Sequence, residues 1–199
     1  MRVFGLTGKT GAGKSTVASK LKEKGCFIID GDVVAREIVL PGKGALEKLC
    51  EVFGEDILLE DKTLDRRALA AKAFSSEENT ALLNSVTHPF IKSRFEELIR
   101  QAEGEKYEVA VIDAAALLES DCKELCEKII VVHAPEKIRL ERILSRDNIT
   151  RQQALLRMNS QKDDSYYFSQ ADYIIDNSDS VEAVDNSLKE LFYEENIRG

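Results

Sequence analysis

Apolar residues gather in five short runs along the chain: Val3–Leu6, Cys26–Ile29, Val109–Ile112, Ile129–Val132 and Tyr173–Ile175. Within each run they are nearly continuous rather than alternating, the pattern of strands covered on both faces and hence of a parallel sheet. Between the runs, apolar residues recur at helical spacing, as in Val17, Ala18 and Leu21. Strands alternating with helices predict a three-layer α/β domain. Several boundaries are legible. Gly25 stands where a glycine ends the first helix, Asp65 precedes the helix start "RRALAAKAF", and Thr150-Arg151-Gln152-Gln153 is a capping box. Pro89 is expected in the first turn of a long helix that stops near Gly104.

Two stretches depart from the alternation. Gly31 to Glu108 reads almost wholly helical, too much for a bare crossover. It predicts a helical substrate-binding insertion, set at 31–106, over the carboxyl edge of the sheet, where open α/β sheets bind ligands. A second excursion, 146–170, predicts a lid. Both are subregions of one domain spanning 1–199.

The chain has 199 residues, 43% hydrophobic and 32% charged, enough to bury a core without disulfide or metal staples. The apolar runs are far shorter than the ~20 residues of a membrane span. The first residues lack the makings of a signal peptide, so a cytoplasmic location is expected. A net charge of −8 argues against a nucleic-acid partner, since such binding rests on clustered Lys and Arg. Cys26, Cys50, Cys122 and Cys126 form no C-x-x-C pair, and with only His88 and His133 a zinc set is short of ligands. Buried or half-buried thiols in a reducing compartment account for them better.

The chemistry begins at Gly8-Lys9-Thr10-Gly11-Ala12-Gly13-Lys14-Ser15, a full G-x-x-x-x-G-K-[ST] match placed after a strand and before a helix. Successive backbone N–H groups must point into one concavity, which requires φ values that glycine adopts at little steric cost. The following helix aims its N-terminal N–H groups and dipole at the same anion. Gly8, Gly11, Ala12, Gly13, Lys14, Ser15 and Thr16 therefore form the candidate ATP-binding set. Lys14 would reach the β and γ phosphates, and Ser15 would enter a Mg²⁺ shell.

Three further groups complete the candidates. In "CFIIDGDVVARE", Asp32 stands where a carboxylate would accept the proton of an acceptor hydroxyl, or would merely cap the helix that follows. Asp113 ends the third run as an acid placed to hold Mg²⁺ or its waters, or to act as a turn acid. Arg139, Arg142 and Arg146 fall within about 60° of one another on one helix, as a solvated face or as a lid spreading positive charge over the transferring group. Arg66 and His88 in the insertion are candidate acceptor-binding residues. Two flaps over one sheet edge are the layout of a small kinase. A nucleoside-monophosphate kinase and a nucleotide-binding switch are the competing readings; the chain carries no N-K-x-D motif for guanine.

The order of motifs resembles the bacterial dephospho-coenzyme A kinases over nearly the whole length. The likeness is carried by "GLTGKTGAGKSTVASKL", "IIDGDVVAREIVLPG", "LDRRALAAKAF", "LNSVTHPFI", "RLERILSRDNITRQQALLRMNSQ" and "ADYIIDNS". It implies transfer from ATP to the ribose 3′-hydroxyl of dephospho-CoA, giving CoA and ADP, the last step of CoA biosynthesis. It also implies a P-loop kinase fold with a five-stranded parallel sheet, a CoA-binding helical insertion and a lid. Asp32 then matches the acceptor-activating aspartate, Lys14 and Ser15 the phosphate and Mg²⁺ positions, and Arg142 and Arg146 the lid arginines. The expected partners are ATP and dephospho-CoA, with no nucleic acid and no membrane, in a monomer or weak homo-oligomer. There are departures. Lys9 stands for the usual glycine, Gly31 for the alanine of an Asp-Ala-Asp step, Ala115 for the proline of Pro-Leu-Leu-Phe-Glu, and Arg139 for a glutamine.

Overall fold

In the computed structural model, which describes residues 1–197, the five apolar runs become five strands: β1 Arg2–Gly8, β2 Phe27–Asp30, β3 Val109–Asp113, β4 Lys128–His133 and β5 Tyr173–Asp176. They form one all-parallel sheet in the order β2-β3-β1-β4-β5. β1 is central, paired with β3 from Arg2↔Val109 to Leu6↔Asp113 and with β4 from Phe4↔Lys128 to Gly8↔Val132. The chain crosses to one side of β1 for β2 and β3, then to the other for β4 and β5. The carboxyl end of β1 is thus the switch point at which such sheets open a crevice.

The chain divides into two compact units, Met1–Ile29 with the chain from Ile99 onward, and Asp30–Leu98. The first contains the sheet. Its helices α1, Lys14–Glu23, and α9, Val181–Glu194, bury Val17, Leu21, Leu188 and Leu191 against Phe4, Leu6, Val111 and Val132. Lys24 closes α1, and Gly25 follows at φ +86, a conformation that L side chains rarely adopt. The helices α6, Glu136–Asp147, and α7, Arg151–Asn159, form a hairpin around Leu140, Ile143, Ala154 and Met158. The predicted box closes the start of α7: the Thr150 hydroxyl accepts from the Gln153 amide, and the Gln153 side chain reaches back. The short α8, Asp164–Phe168, seats Tyr167 on Val131 and Leu118. Cys26 and Cys122 are buried, and Cys50 and Cys126 half-buried. No helix among the described residues is long and apolar enough to cross a membrane.

The second unit is helical: α2 Gly31–Glu37, α3 Gly44–Phe53, α4 Arg66–Ala73 and α5 Glu77–Gly104, whose last residues belong to the first unit. Asp65 caps α4 as expected, its carboxylate accepting from the amides of Arg67 and Ala68. Arg94 holds both carboxylate oxygens of Glu37, at 3.2 and 3.1 Å. The long helix begins at Glu77, not at Pro89. The Ser76 hydroxyl accepts from the Asn79 amide at 3.1 Å, and Glu77 and Glu78 complement the helix dipole. That start signal carries the helix through the proline, which supplies no N–H to the turn before it.

Leu188 is fully buried between α9 and the sheet. Leu188→Ala is expected to lower the unfolding free energy by about 2–5 kcal/mol, the usual loss when a buried leucine leaves a cavity. Denaturant titration followed by circular dichroism reads this as a lower midpoint at unchanged slope.

Candidate active site

β1 delivers Gly8 to its carboxyl end, and the chain turns through Gly13 into α1. Gly11 and Gly13 have φ of +79 and +89. A Cβ on Gly11 would lie 2.6 Å from the Arg139 carbonyl oxygen, and one on Gly13 would collide with the Asn177 amide. Both backbone angle and space therefore demand glycine. No side chain caps the start of α1. The N–H groups of Lys14 and Ser15, with no acceptor one turn back in the helix, suit an anion, whereas that of Thr16 goes to the Gly13 carbonyl.

If the amides point inward, the loop's carbonyls must be satisfied from outside. Asn177, buried just past β5, donates from Nδ2 to the Ala12 carbonyl at 2.8 Å. Arg142 donates from Nη1 to the same carbonyl at 3.2 Å and from Nη2 to the Asn177 carbonyl at 2.8 Å, with a longer 3.5 Å contact to the Gly11 carbonyl. Below them the Thr7 hydroxyl donates to the Ala115 carbonyl at 3.1 Å. That bond, with buried Leu117 and Leu118, anchors the segment after β3 although alanine replaces the usual proline. Asn177 was not among the candidates read from sequence. Its signal was positional, a polar residue in "ADYIIDNS" directly after a strand.

The expected arginine stripe divides into three environments. Arg139 is 5% exposed, and its Nε donates to the Ala134 carbonyl at 3.1 Å. Arg142 supports the loop. Arg146, at the exposed end of α6, grips Asp147 at 2.5 and 2.9 Å. Arg146, with Arg157 at 2.5 Å, holds the Asp147 carboxyl down at about 2. Gly11, Gly13, Thr16, Glu141, Arg142 and Asp179 help line a cleft of about 490 Å³ beside the loop.

The Lys14 ammonium is ion-paired with Asp113 at the carboxyl end of β3. Ser15 is exposed on the first turn of α1. The hydroxyl of Ser15 and the carboxylate of Asp113 are hard oxygen donors, a set that suits Mg²⁺ retaining waters and taking phosphate oxygens. The first unit thus brings together Gly8, Gly11, Ala12, Gly13, Lys14, Ser15, Thr16, Asp113, Arg142 and Arg146. Asp32, Arg66 and His88 belong to the other unit, on α2, α4 and α5. There the capping alternative for Asp32 is resolved: Asp30 caps α2, accepting from the amides of Asp32 at 2.8 Å and Val33 at 3.0 Å. Asp32 itself is exposed in the first turn. Arg66 is exposed at the start of α4, and His88 is half-buried within α5 rather than in a turn.

A five-stranded parallel sheet with this cradle at its switch point is that of a P-loop kinase. Comparison with known proteins narrows the class. The family model for dephospho-CoA kinase matches residues 2–183. A dephospho-CoA kinase of Corynebacterium glutamicum is 42% identical over 191 residues, covering 96% of each chain. Among solved structures, TT1252 from Thermus thermophilus superposes with a TM-score of 0.82 at 28% identity, covering 97% of each chain. The dephospho-CoA kinase from Campylobacter jejuni does so at 0.62 and 26%, covering 97% of this chain and 96% of its own. The chain belongs to the dephospho-CoA kinase family.

Arg142→Ala removes donors from two loop carbonyls. Because hydrogen bonds to charged groups contribute about 1.5–3 kcal/mol, affinity for an ATP analogue is expected to fall about tenfold or more. Isothermal calorimetry on the folded variant measures it.

Proposed function

We propose that this protein transfers the γ-phosphoryl group of ATP to the ribose 3′-hydroxyl of dephospho-CoA, releasing CoA and ADP. One observation carries the reading: a dephospho-CoA kinase match over residues 2–183 coincides with an intact, fully supported phosphate loop. Phosphoryl transfer asks little covalent chemistry of a protein; it needs in-line positioning and neutralisation of charge.

Each residue has a role in that frame. The amides of Gly11, Gly13, Lys14 and Ser15, at the loop and the start of α1, hold the phosphate oxygens. Lys14 exchanges its partner Asp113 for the β and γ phosphates. Ser15 and Asp113 would hold Mg²⁺ or its waters; when bound, the ion neutralises charge on the phosphate oxygens. Arg142 keeps the loop shaped and borders the cleft we assign to the nucleoside. Arg146 adds positive charge from the end of α6. Asp32, spared from capping by Asp30, accepts the proton of the acceptor hydroxyl, and Arg66 and His88 contribute to acceptor binding.

The direct test is a coupled assay of ADP release from ATP and Mg²⁺ with dephospho-CoA as acceptor, beside a panel of nucleoside monophosphates. Phosphorylation of the nucleotides without turnover of dephospho-CoA overturns the assignment. Asp32→Asn is expected to lower kcat by about 10²–10⁴-fold, the usual contribution of a general base, with KM for ATP nearly unchanged. A near-normal rate in that variant removes Asp32 from the chemistry.

A further inference from the structure

The first two variable residues of the phosphate loop are fastened to the segment around α8. Lys9 Nζ pairs with Asp164, the first residue of α8, at 2.8 Å, and the lysine side chain is only 14% exposed. The next residue, Thr10, donates its backbone N–H to Gln161 Oε1 at 2.9 Å. The loop is therefore held at two consecutive positions by two residues three apart on the facing segment.

That segment is itself seated. Tyr167 is buried against Val131 of β4, and Phe168 meets His133 edge-on at 5.2 Å between ring centres. Lys9, His133, Arg139 and Asp164 line one small cavity under the loop, with room for about one water. The buried Arg139 guanidinium, whose Nη1 has no hydrogen-bond partner among the described residues, lines the same space. Lys9, His133 and Arg139 all draw the Asp164 carboxyl below its ordinary range, Lys9 foremost. Asp164 thus remains an anion, available to the loop's lysine, at any pH near neutrality.

We propose that Lys9 and Asp164 are a positioning pair for phosphoryl transfer: their contact, with the Thr10–Gln161 hydrogen bond, fixes the phosphate loop on α8 before the nucleotide binds. Lys9 serves through Asp164 rather than as one more positive charge beside the phosphates. The two roles predict opposite signs. If charge alone mattered, Lys9→Ala would weaken ATP binding and Asp164→Asn, by removing a nearby negative charge, would strengthen it. If the pair positions the loop, both variants weaken it.

The test is a double-mutant cycle of Lys9→Ala, Asp164→Asn and the two combined, read by KM for ATP and by backbone hydrogen exchange of residues 9–13 in nucleotide-free protein. The expected result is a rise in KM of about three- to tenfold in each single variant, faster loop exchange in each, and a double variant no worse than the weaker single. Asp164→Glu, which keeps the charge, should recover most of the loss. A lowered or unchanged KM in Asp164→Asn, or additive effects in the double variant, overturns the proposal. The kinetic readout rests on the dephospho-CoA kinase reading, whereas the exchange readout does not. Should the unaltered chain fail to turn over dephospho-CoA, that reading alone falls, and unchanged loop exchange in both single variants still overturns the pair.

Discussion

The structure depends on satisfying the carbonyls of the phosphate loop from elements distant in sequence. A peptide that aims its N–H inward aims a carbonyl elsewhere, and a carbonyl buried without a partner costs about 1–3 kcal/mol. The Ala12 carbonyl meets both the Asn177 amide and the Arg142 guanidinium, donors from the turn after β5 and from α6. The loop is therefore the place where β1, α6 and the turn after β5 must agree in position. Gly11 packs against the backbone of Arg139 and Gly13 against Asn177 so closely that no side chain is admitted at either. The parallel sheet, with β1 at its centre, supplies the rigid frame on which such agreement can be held.

The electrostatics follow from the same constraint. A chain with net charge −8 has to attract a polyanion locally. Yet three of the cations near the loop are already paired, Lys14 with Asp113, Lys9 with Asp164 and Arg146 with Asp147. Discrimination cannot then rest on bulk positive potential, which salt would screen over about 8–10 Å. In the proposed reading it rests on the fixed shape of the loop, which matches the several oxygens of a triphosphate at once. Lys14 is, in that reading, the exchangeable contact, kept by Asp113 from adopting many rotamers when no phosphate is bound, whereas Lys9 stays with Asp164.

What could be read along the sequence was what depends on neighbours in sequence. All five strands, the Gly25 helix stop, the Asp65 cap, the Thr150 box and the phosphate loop are set by residues within a few positions of one another. Each was legible to within a residue or two. The misread start of α5 belongs to the same scale. Two local signals competed there, and the Ser76 hydroxyl with its acidic first turn prevailed over a proline that suits a first turn but does not compel one. Partners far apart in sequence left weaker traces. Nothing near Ala12 names Asn177 as its donor, and the charge at Lys9 finds its meaning in Asp164. The arginine stripe was correct in helical geometry, but geometry along one helix does not say which side chain a neighbouring loop will bury.

The two acids after β2 show how a fold separates tasks between residues of one type. Capping requires a side-chain oxygen at the helix boundary that reaches the amides two and three residues on, so only the residue leaving the strand can provide it. Asp30 occupies that place and engages the amides of Asp32 and Val33. Asp32, two residues later, is already inside the helix, where its own amide is the one being satisfied and its carboxylate cannot fold back to cap. The step from Asp30 through a buried Gly31 to Asp32 thus uses the first carboxylate for structure and leaves the second exposed. Spacing alone left capping and catalysis both open for Asp32; backbone geometry assigns the capping to its neighbour and leaves Asp32 an exposed acid in the first turn of α2, where it complements the helix dipole.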